Sequence, residues 1–146
     1  MKNKLFLKRP ALIAGVFILL LFIAGCAGEN NEPIDESQIQ WVQYNERAEA
    51  FISFMVSDDF DGAVAMFDRT MERSLSAPML KALWDEIVQH AGGFISFHDA
   101  DNMLADGYFV CDITSAHENI GVTLRVVFDR NDLVAGFFII DYPELP

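Results

Sequence analysis

The sequence lacks the residues on which several classes of protein depend. Its 146 residues include two cysteines, Cys26 and Cys111, which excludes a scaffold held together by several disulfides. Basic residues are also scarce. Four of the ten lie in the first 25 residues, which hold no acid, so the rest of the chain carries 6 basic and 22 acidic side chains. Such an excess of negative charge repels phosphate backbones, so a nucleic-acid-binding role is excluded.

The first 25 residues have the composition of an export signal. A basic start contains Lys2, Lys4, Lys8 and Arg9, and a continuous apolar run follows at positions 11–24. This order is typical of a secretory signal. The run is shorter than the ~17–25 residues that a permanent membrane-spanning helix needs. We therefore predict that residues 1–25 are removed, with an uncleaved membrane anchor as the less favoured alternative.

The end of this segment, Ile23-Ala24-Gly25-Cys26, resembles the lipobox of bacterial lipoproteins. The resemblance implies cleavage before Cys26 and attachment of lipid to its thiol. Each buried methylene contributes about 0.8 kcal/mol, so two or three acyl chains hold a protein on a membrane without a spanning segment. We predict a lipid-anchored protein on the extracytoplasmic side of the cell membrane, in a one-membrane or a two-membrane envelope. Residues 26–36 are predicted to be the lipidated cysteine and a flexible tether.

Apolar residues recur at helical spacing after Ser37 and predict three helices. Asp58 and Asp59 offer an N-cap for the second helix, and glycine ends the third because it tolerates the left-handed cap conformation. The predicted helices are, in order, one of about five turns that carries Trp41, Ala48, Ile52 and Met55, one from Phe60 to Met71, and one from Ser76 to Gly92-Gly93.

Residues 57–62 allow a second interpretation. Aligned as a calcium-binding loop, Ser57 and Asp59 would supply early ligands and Asp68 the last one. The first and last positions of such loops normally hold Asp and Glu, and in this chain they hold Ser57 and Asp68. The acidic residues are therefore predicted to cap a helix, where the dipole favours them, and no metal site is predicted.

After Gly93 the apolar residues alternate, which predicts strands. Two-residue turns at Asp106-Gly107 and Glu118-Asn119 fix two hairpins, and a third turn is centred on residues 129–132. Residues 37–146 thus form an α+β domain in which three helices pack on a curved four-stranded antiparallel meander. The predicted pairs are Phe109 with Phe128, Cys111 with Val126, Ile113 with Leu124, Asp112 with Arg125, Thr114 with Thr123, Val126 with Ala135 and Leu124 with Phe137.

Three stretches resemble an uncharacterised family, domain of unknown function 3887: FMVSDDFDGAVAMFD, LKALWDEIVQHAGGF and DRNDLVAGFFI, within residues 45 to 140. Helices followed by a curved antiparallel sheet also resemble the cone-shaped folds of nuclear transport factor 2 and cystatin. The family resemblance implies a short lipoprotein or a domain ahead of an α/β-hydrolase. Because the chain contains no Gly-x-Ser-x-Gly elbow, it gives no basis for a hydrolase, and no cofactor is predicted.

His98 is the candidate for catalysis. The register set by Asp106-Gly107 places it with Asn102 on the sheet face toward the helices, where an imidazole could act as an acid or base. The favoured interpretation is a single polar residue at an edge of the sheet, or a bulge around Asp99–Asp101. His90, near a helix C-terminus, and His117, beside a turn, have no metal-ligand spacing to a second ligand.

The same register assigns Asp112 and Cys111 to opposite faces of the sheet. Asp112 is predicted to form an outward cross-strand ion pair with Arg125 in preference to a catalytic role. Cys111 is predicted to face the core as a small buried hydrophobe, because no cation beside it would favour the thiolate.

These observations favour a membrane-tethered, extracytoplasmic binding or interaction module without catalysis of its own; the alternative is a small enzyme that uses His98. A cavity between helices and sheet could hold a small apolar ligand or be filled by side chains. Its predicted lining is Trp41, Trp84, Phe109, Leu124 and Phe137. The outward sheet face is expected to contact a second copy of the chain or another envelope protein, because it would expose a large apolar patch. Its predicted residues are Val110, Val127, Val134, Phe138 and Ile140, with Asp112, Thr114, Thr123 and Arg125.

Overall fold

The spacing of apolar residues changes at Gly93 from helical to alternating, and the structure changes there from helices to strands. A computed structural model describes residues 33–144, so the predicted export signal, Cys26 and the tether up to residue 32 lie outside the described residues. The strands form one antiparallel sheet in the order β1-β2-β3-β4, which confirms the α+β class and the four-stranded meander. A short 3₁₀ helix (Glu36–Gln38) comes first, and the elements that follow are α1 (Trp41–Val56), α2 (Phe60–Val64), α3 (Arg69–Ser74), α4 (Ala77–Ala91), β1 (Phe94–Ala105), β2 (Tyr108–His117), β3 (Gly121–Phe128) and β4 (Val134–Asp141).

The prediction of one helix over 60–71 is wrong, because this segment contains α2 and the start of α3. Asp68 separates them: its carboxylate accepts a hydrogen bond from the Met71 amide at 2.7 Å and starts a new helix. Between the two helices, Phe67 forms a parallel bridge with Val134 of β4. The described part of the chain therefore contains four α-helices where the sequence predicts three.

Two predicted helix ends are confirmed, the start of α2 at Asp59 and the end of α4 at Gly92. The Asp59 carboxylate accepts a hydrogen bond from the Gly62 amide at 2.9 Å at the start of α2. At the end of α4, Gly92 has a φ of 85°, and its amide donates to the Val88 carbonyl oxygen. None of the helices within residues 33–144 is both long enough and apolar enough to cross a membrane.

The first two hairpins have the predicted turns; the central hairpin has the predicted register, and β1 keeps its predicted register with β2 from Asp99 to Ala105. Asp106 and Gly107 both have positive φ angles, 51° and 81°, as a tight two-residue hairpin turn requires. Every predicted pair of the central hairpin is present. The face of the sheet that carries Phe109 and Cys111 is called the inner face below, and the face that carries Asp112 is called the outer face.

The predicted register of β3 with β4 is wrong by two residues. Val126 pairs with Phe137 and not with Ala135, while Leu124 pairs with Ile139. A shift of two keeps each side chain on its predicted face, because side chains in a strand alternate with a period of two.

The β3–β4 turn explains one residue of the shift, because five residues, 129–133, separate the paired Phe128 and Val134 where four were predicted. Asp129 closes it, since its Oδ1 accepts hydrogen bonds from the amides of Asn131 at 2.8 Å and Leu133 at 2.9 Å. A register irregularity between Val127 and Phe128 adds the second residue, because Val127 pairs with Gly136 while Phe128 pairs with Val134 on the inner face. Val134 is therefore fully buried in the core, and its predicted place on the outer face is wrong.

The apolar core lies between the helices and the inner face of the sheet. Ile34, in the part of the chain predicted to be tether, also packs against it. The largest side chains without exposed surface are Phe51, Ile52 and Met55 of α1, Leu80 and Ile87 of α4, Cys111 and Ile113 of β2, Val122, Leu124, Val126 and Phe128 of β3, and Val134 of β4.

Candidate functional site

The five residues predicted to line a ligand cavity lie around this packed core. Trp41 meets Phe109 edge to face at 6.2 Å between ring centroids. Trp84 contacts His117 at the other end of the inner face, and Phe137 meets the ring of Phe51. Leu124 has no exposed surface. The structure therefore brings Trp41 and Phe109 together but separates this pair from Trp84, and the ligand-binding role of the five stays a prediction.

The described residues do form two adjoining grooves beside α1. One has a volume of about 440 Å³, with Ala50, Phe54 and Met66 among its apolar lining residues. The other, of about 400 Å³, includes Ile34 and Phe109. Both volumes fall in the range of small-molecule sites, roughly 300–1,000 Å³. The grooves share Gln43, Tyr44 and Asp132.

Tyr44 occupies the boundary between the two grooves. Its ring stacks on Phe109 with centroids 4.3 Å apart and an interplanar angle of 16°. It also contacts Phe128, which is fully buried. These contacts hold the ring against the inner face of the sheet and direct the hydroxyl to the β3–β4 turn, where it donates a hydrogen bond to Asp132 Oδ1 at 3.0 Å.

Arg47, one helical turn after Tyr44, reaches the same turn residue. Its Nη2 donates to the backbone carbonyl oxygen of Asp132 at 3.0 Å. Asp132 has a φ of 60°, a left-handed conformation that aspartate adopts more readily than most residues. Tyr44, Arg47 and Asp132 are called the α1 junction below, because they attach α1 to the β3–β4 turn.

The side chains of the α1 junction can bind a ligand through hydrogen bonds and charge. Burial raises the pKa of the Tyr44 hydroxyl, and its hydrogen bond to Asp132 raises that pKa further. The hydroxyl is therefore protonated at neutral pH and acts as a donor. The larger groove has one cation, Arg47, two carboxylates, Glu46 and Asp132, and the Gln43 amide beside its apolar residues, so it can contact a molecule that has both a polar and an apolar part.

The α1 junction was not predicted from the sequence, although Tyr44 lies in the predicted first helix. Tyr44 and Arg47 are three residues apart, which places them on one side of α1. Asp132 is 88 positions from Tyr44, and its location depends on the β3–β4 turn whose register the sequence pattern misplaced. No local motif connects these residues.

His98 does not occupy its predicted place on the inner face. β1 is irregular between Phe97 and Asp99, so Phe97 pairs with Ser115 where His98 was expected. His98 is exposed in the strand that forms one edge of the sheet. Asn102 pairs with Cys111 as predicted. The inward position predicted for His98 is therefore wrong, and its place at an irregularity in an edge strand agrees with the favoured structural interpretation. A catalytic role of His98 stays a prediction.

Asp112 and Cys111 lie as predicted. Both carboxylate oxygens of Asp112 accept hydrogen bonds at 2.7 Å from Arg125, whose Nε and Nη2 donate side by side on the outer face. Cys111 is buried on the inner face, and burial with the nearby Asp112 raises its thiol pKa to about 12. The Asp112 carboxylate is thus occupied by an ion pair, and the Cys111 thiol is protonated at neutral pH.

His117 is a buried group whose importance the sequence analysis missed. Its Nδ1 donates to the Gly92 carbonyl oxygen at 2.9 Å, and its Nε2 lies 3.2 Å from Ser115 Oγ. The Ser115 hydroxyl donates to the Val122 carbonyl oxygen at 3.1 Å. Ser115 and His117 are both buried, so this pair stabilises the fold. The alternation along β2 could have revealed it, because 115 and 117 continue the inward series 109, 111 and 113.

The β2–β3 turn completes the contacts around His117. The Asn119 amide donates to the Ala91 carbonyl oxygen at 2.9 Å, and the Glu118 amide donates to the Gly93 carbonyl oxygen at 3.0 Å. In return, the Gly93 amide donates to Glu118 Oε2 at 3.0 Å. These contacts and His117 are called the α4 junction, because they attach the C-terminal end of α4 to the β2–β3 turn.

The outer face combines apolar and acidic residues. Val110 is almost fully buried between its cross-strand neighbours Met103 and Val127. Met103 and Phe138 are exposed. Three further acidic residues lie on this outer face, as their cross-strand partners show. Asp101 lies opposite Asp112, Asp99 opposite Thr114 and Asp141 opposite Thr123.

Comparison with known proteins gives a family for this chain. The model of a family described as protein of unknown function (DUF3887) matches residues 48–137. The match extends from the middle of α1 into β4 and includes Asp132, whereas Tyr44 and Arg47 precede it. No curated protein and no solved structure matches the chain.

Proposed function

The chain belongs to the DUF3887 family of proteins of unknown function, and we propose that it is a non-catalytic binding module, held by lipid on Cys26 at the extracytoplasmic side of the cell membrane. The lipid anchor is supported by the sequence: a basic start, a 14-residue apolar run and the lipobox-like Ile23-Ala24-Gly25-Cys26. The strongly acidic remainder suits an exported domain that does not adhere to anionic headgroups.

A cone-like fold similar to that of nuclear transport factor 2 is part of this proposal. Its support is a four-stranded antiparallel sheet whose inner face contributes to the same core as α1 and α4. In that arrangement a ligand can bind at the opening between the helices and the sheet. Phe109, a residue of this inner face, lines the smaller groove beside α1.

The observation that carries the binding proposal is the position of Tyr44. A protonated hydroxyl, held by Asp132 and by stacking on Phe109, stands where two grooves of suitable size meet. Arg47 and Gln43 add polar contacts, and Phe54 and Met66 add apolar ones. We therefore propose a small amphipathic molecule as the ligand, with its apolar part along Phe54 and its polar part at the α1 junction.

Native mass spectrometry of the full chain, extracted from its membranes in detergent, tests the ligand and the anchor together. We expect the mass of a chain that begins at acylated Cys26, with a noncovalently bound small molecule. Ala50 is exposed in the larger groove, so Ala50→Trp should fill the groove and remove the bound molecule. Val42→Trp is the matched control, because Val42 is exposed on the same helix and lines neither groove.

Two results would contradict parts of this proposal. An unmodified Cys26 in a chain that still begins at Met1 would refute the lipid anchor. Equal retention of the bound molecule in the Ala50→Trp and Val42→Trp variants, or no bound molecule in any form, would refute the groove as a binding site.

The alternative, a small enzyme that uses His98, has no specific structural support, because His98 is exposed at the bulge of β1. His98→Ala should therefore leave the retained ligand and the thermal stability unchanged. Loss of a chemical turnover in this variant, with unchanged stability, would restore the enzyme hypothesis.

The outer face is proposed as the surface for another envelope protein. Its apolar residues Met103 and Phe138 offer contact area, and the acidic residues Asp99, Asp101 and Asp141 on the same face favour a partner with basic side chains. A photocrosslinker in place of Met103 should capture such a partner in cells, and one in place of Val42 should not. Capture of the same proteins from both positions would count against the surface.

A further inference from the structure

The two grooves beside α1 differ in charge. The larger groove contains Arg47 together with the carboxylates of Glu46 and Asp132. The smaller groove contains the carboxylates of Asp35 and Asp132, and no lysine or arginine of residues 33–144 lines it. Because Asp132 lines both grooves, a negatively charged group would meet its carboxylate in either one. Both grooves therefore favour a ligand with a positively charged polar group, and the smaller groove favours it more.

Neighbouring groups hold the two carboxylates of the smaller groove in position. Asp35 Oδ1 accepts hydrogen bonds from the Ser37 hydroxyl at 2.7 Å and the Ser37 amide at 3.0 Å, and its Oδ2 accepts one from Gln38 at 3.0 Å. These bonds, that of the Ser37 hydroxyl first, lower the pKa of Asp35, so it is negatively charged at neutral pH. At Asp132, the Tyr44 hydroxyl donates to Oδ1. Since a carboxylate can accept about four hydrogen bonds, both groups can accept a further one from a ligand.

Apolar surface lies beside these carboxylates in both grooves. A small ammonium ion would leave this surface in contact with water, whereas an alkyl chain attached to the ammonium group would cover it. The chemistry of the grooves thus favours a cation that carries an apolar chain. The apolar lining residues are Ile34, Ile39 and Phe109 in the smaller groove and Ala50, Phe54 and Met66 in the larger one.

The position of the smaller groove in the chain indicates the source of such a ligand. Ile34, which lines this groove, follows Cys26 by eight residues. A chain extends at most ~3.3–3.6 Å per residue, so Ile34 lies no more than about 28 Å from Cys26. With Cys26 anchored by lipid as proposed above, the groove stays close to the membrane. Molecules of the membrane are therefore present near it at a high effective concentration.

We infer that the grooves bind an amphiphile of the surrounding membrane whose polar group is an ammonium, held by the carboxylates of Asp35 and Asp132, with its alkyl chain along the larger groove. This inference rests on the proposed binding function and names the chemical class of its ligand. Charge-assisted hydrogen bonds to the two carboxylates select the ammonium group. Arg47 does not oppose this placement, because it lines the larger groove only and its Nη2 donates to the Asp132 carbonyl oxygen.

Three probes with the same dodecyl chain and different charges test the inference on the full chain in a nonionic detergent. They are dodecylamine, which is protonated at neutral pH, uncharged dodecanol and negatively charged dodecanoate. Native mass spectrometry measures the affinity for each probe. We expect dodecylamine to bind about tenfold more tightly than dodecanoate, with dodecanol between them. Dodecanol depends on the apolar surface, so unchanged dodecanol binding shows that a variant keeps the grooves intact.

Two variants locate the charge preference in the smaller groove. Asp35→Asn and Asp132→Asn each remove one negative charge and keep an oxygen acceptor at the same place. Each should reduce the ratio of dodecylamine to dodecanoate affinity about threefold and leave dodecanol binding unchanged. Glu36→Gln is the matched control, because Glu36 is acidic, exposed and next to Asp35 but lines neither groove. This variant should keep the ratio of the unaltered chain.

Failure of the inference and failure of the binding function give different results. Equal binding of the three probes, all removed by Ala50→Trp, would retain the binding function and overturn the inference. An equal loss of preference in Glu36→Gln and Asp35→Asn would also overturn it, because the preference would then arise from the net charge of the chain. Binding of no probe, or equal binding in Ala50→Trp and Val42→Trp, would refute the binding function itself.

The molecule that the full chain retains from its own membranes tests the source of the ligand. Its mass and fragmentation should identify an amine that carries an alkyl chain, and this result supports the inference. A retained amine without an alkyl chain would assign the grooves to a water-soluble ligand and overturn the inference, as would a retained fatty acid.

Discussion

The α4 junction and the α1 junction perform the same task by different means, since each attaches a helix to a hairpin turn. At the α4 junction, Asn119 and Glu118 hydrogen-bond the backbone at the end of α4, and the buried His117 adds a further bond to the Gly92 carbonyl oxygen. At the α1 junction, the side chains of Tyr44 and Arg47 reach from α1 and hydrogen-bond one exposed turn residue, Asp132.

This difference separates a structural contact from a candidate binding site. Buried polar groups must be satisfied within the protein, because an unsatisfied one costs about 1–3 kcal/mol. His117 therefore has a fixed set of partners. Water can replace the partners of an exposed side chain at small cost, and so can a ligand. Tyr44 and Arg47 are thus available for binding, whereas His117 is not. Mutations at the α4 junction should therefore lower the free energy of unfolding strongly, and mutations at the α1 junction should lower it less.

The largest effect is expected from His117→Ala. This change removes a buried ring between Trp84 and Phe94 and leaves the Gly92 carbonyl oxygen without its imidazole donor. The lost packing and the unsatisfied group together should lower the free energy of unfolding by about 3 kcal/mol. Chemical denaturation of the full chain in detergent measures it. His90→Ala is the matched control, because His90 is exposed in the last turn of α4. Equal effects of the two changes would mean that the α4 junction is not a buried anchor.

Gly92→Ala should have the second largest effect. Gly92 has a φ of 85°, and an added Cβ would lie 2.7 Å from Glu118 Cβ. The strained backbone and the clash should together cost about 2 kcal/mol. Gly93→Ala is a close control, since a Cβ there meets its nearest atom at 3.4 Å, an ordinary contact. If both variants unfold at the same denaturant concentration, the cap geometry at Gly92 contributes nothing to the junction.

The contrast between the junctions also explains what could be predicted from the sequence. The α4 junction is built from local signals: a glycine that ends a helix, a two-residue turn at Glu118-Asn119 and the alternation along β2. The first two were predicted, whereas the third was followed only as far as Ile113, so the inward position of His117 was missed. Such features depend on neighbours in the chain, which a pattern of residues reveals directly.

The features that the sequence could not predict depend on irregular backbone. The irregularity beside His98, which the sequence suggested near Asp99–Asp101 without fixing its position, places this histidine at the surface, and the side chain of Asp129 lengthens the β3–β4 turn. Asp68 divides a periodic helical segment because its carboxylate caps a new helix. Each of these changes involves one or two residues and leaves the apolar pattern intact, so a periodicity argument does not detect it. The α1 junction follows from one of them, the turn at Asp129.

Asp132→Ala should have a smaller effect than either change at the α4 junction. It removes the acceptor of the Tyr44 hydroxyl and places a residue with little tolerance for positive φ at 60°. Because Asp132 is exposed, the loss of unfolding free energy should be about 1 kcal/mol. Asp132→Asn is the control, since an amide oxygen still accepts and asparagine tolerates this conformation. The alanine variant should also retain less of the groove ligand. Unchanged retention would show that the turn does not shape the grooves.

Tyr44→Phe should have the smallest effect at neutral pH, about 0.5–1 kcal/mol, because it removes one hydrogen bond and keeps the ring stacked on Phe109. Its pH dependence is more informative. The pKa of Tyr44 is raised in the folded protein, so the unfolded chain loses this proton first. The stabilisation by the protonated hydroxyl is therefore complete below the ordinary tyrosine pKa of about 10 and decreases as the pH rises above it. Denaturation between pH 7 and pH 11 should show the difference between the unaltered chain and Tyr44→Phe decrease at alkaline pH. A constant difference would mean that the hydroxyl is not held in its neutral form, and the α1 junction would then lose the donor on which the proposed binding site depends.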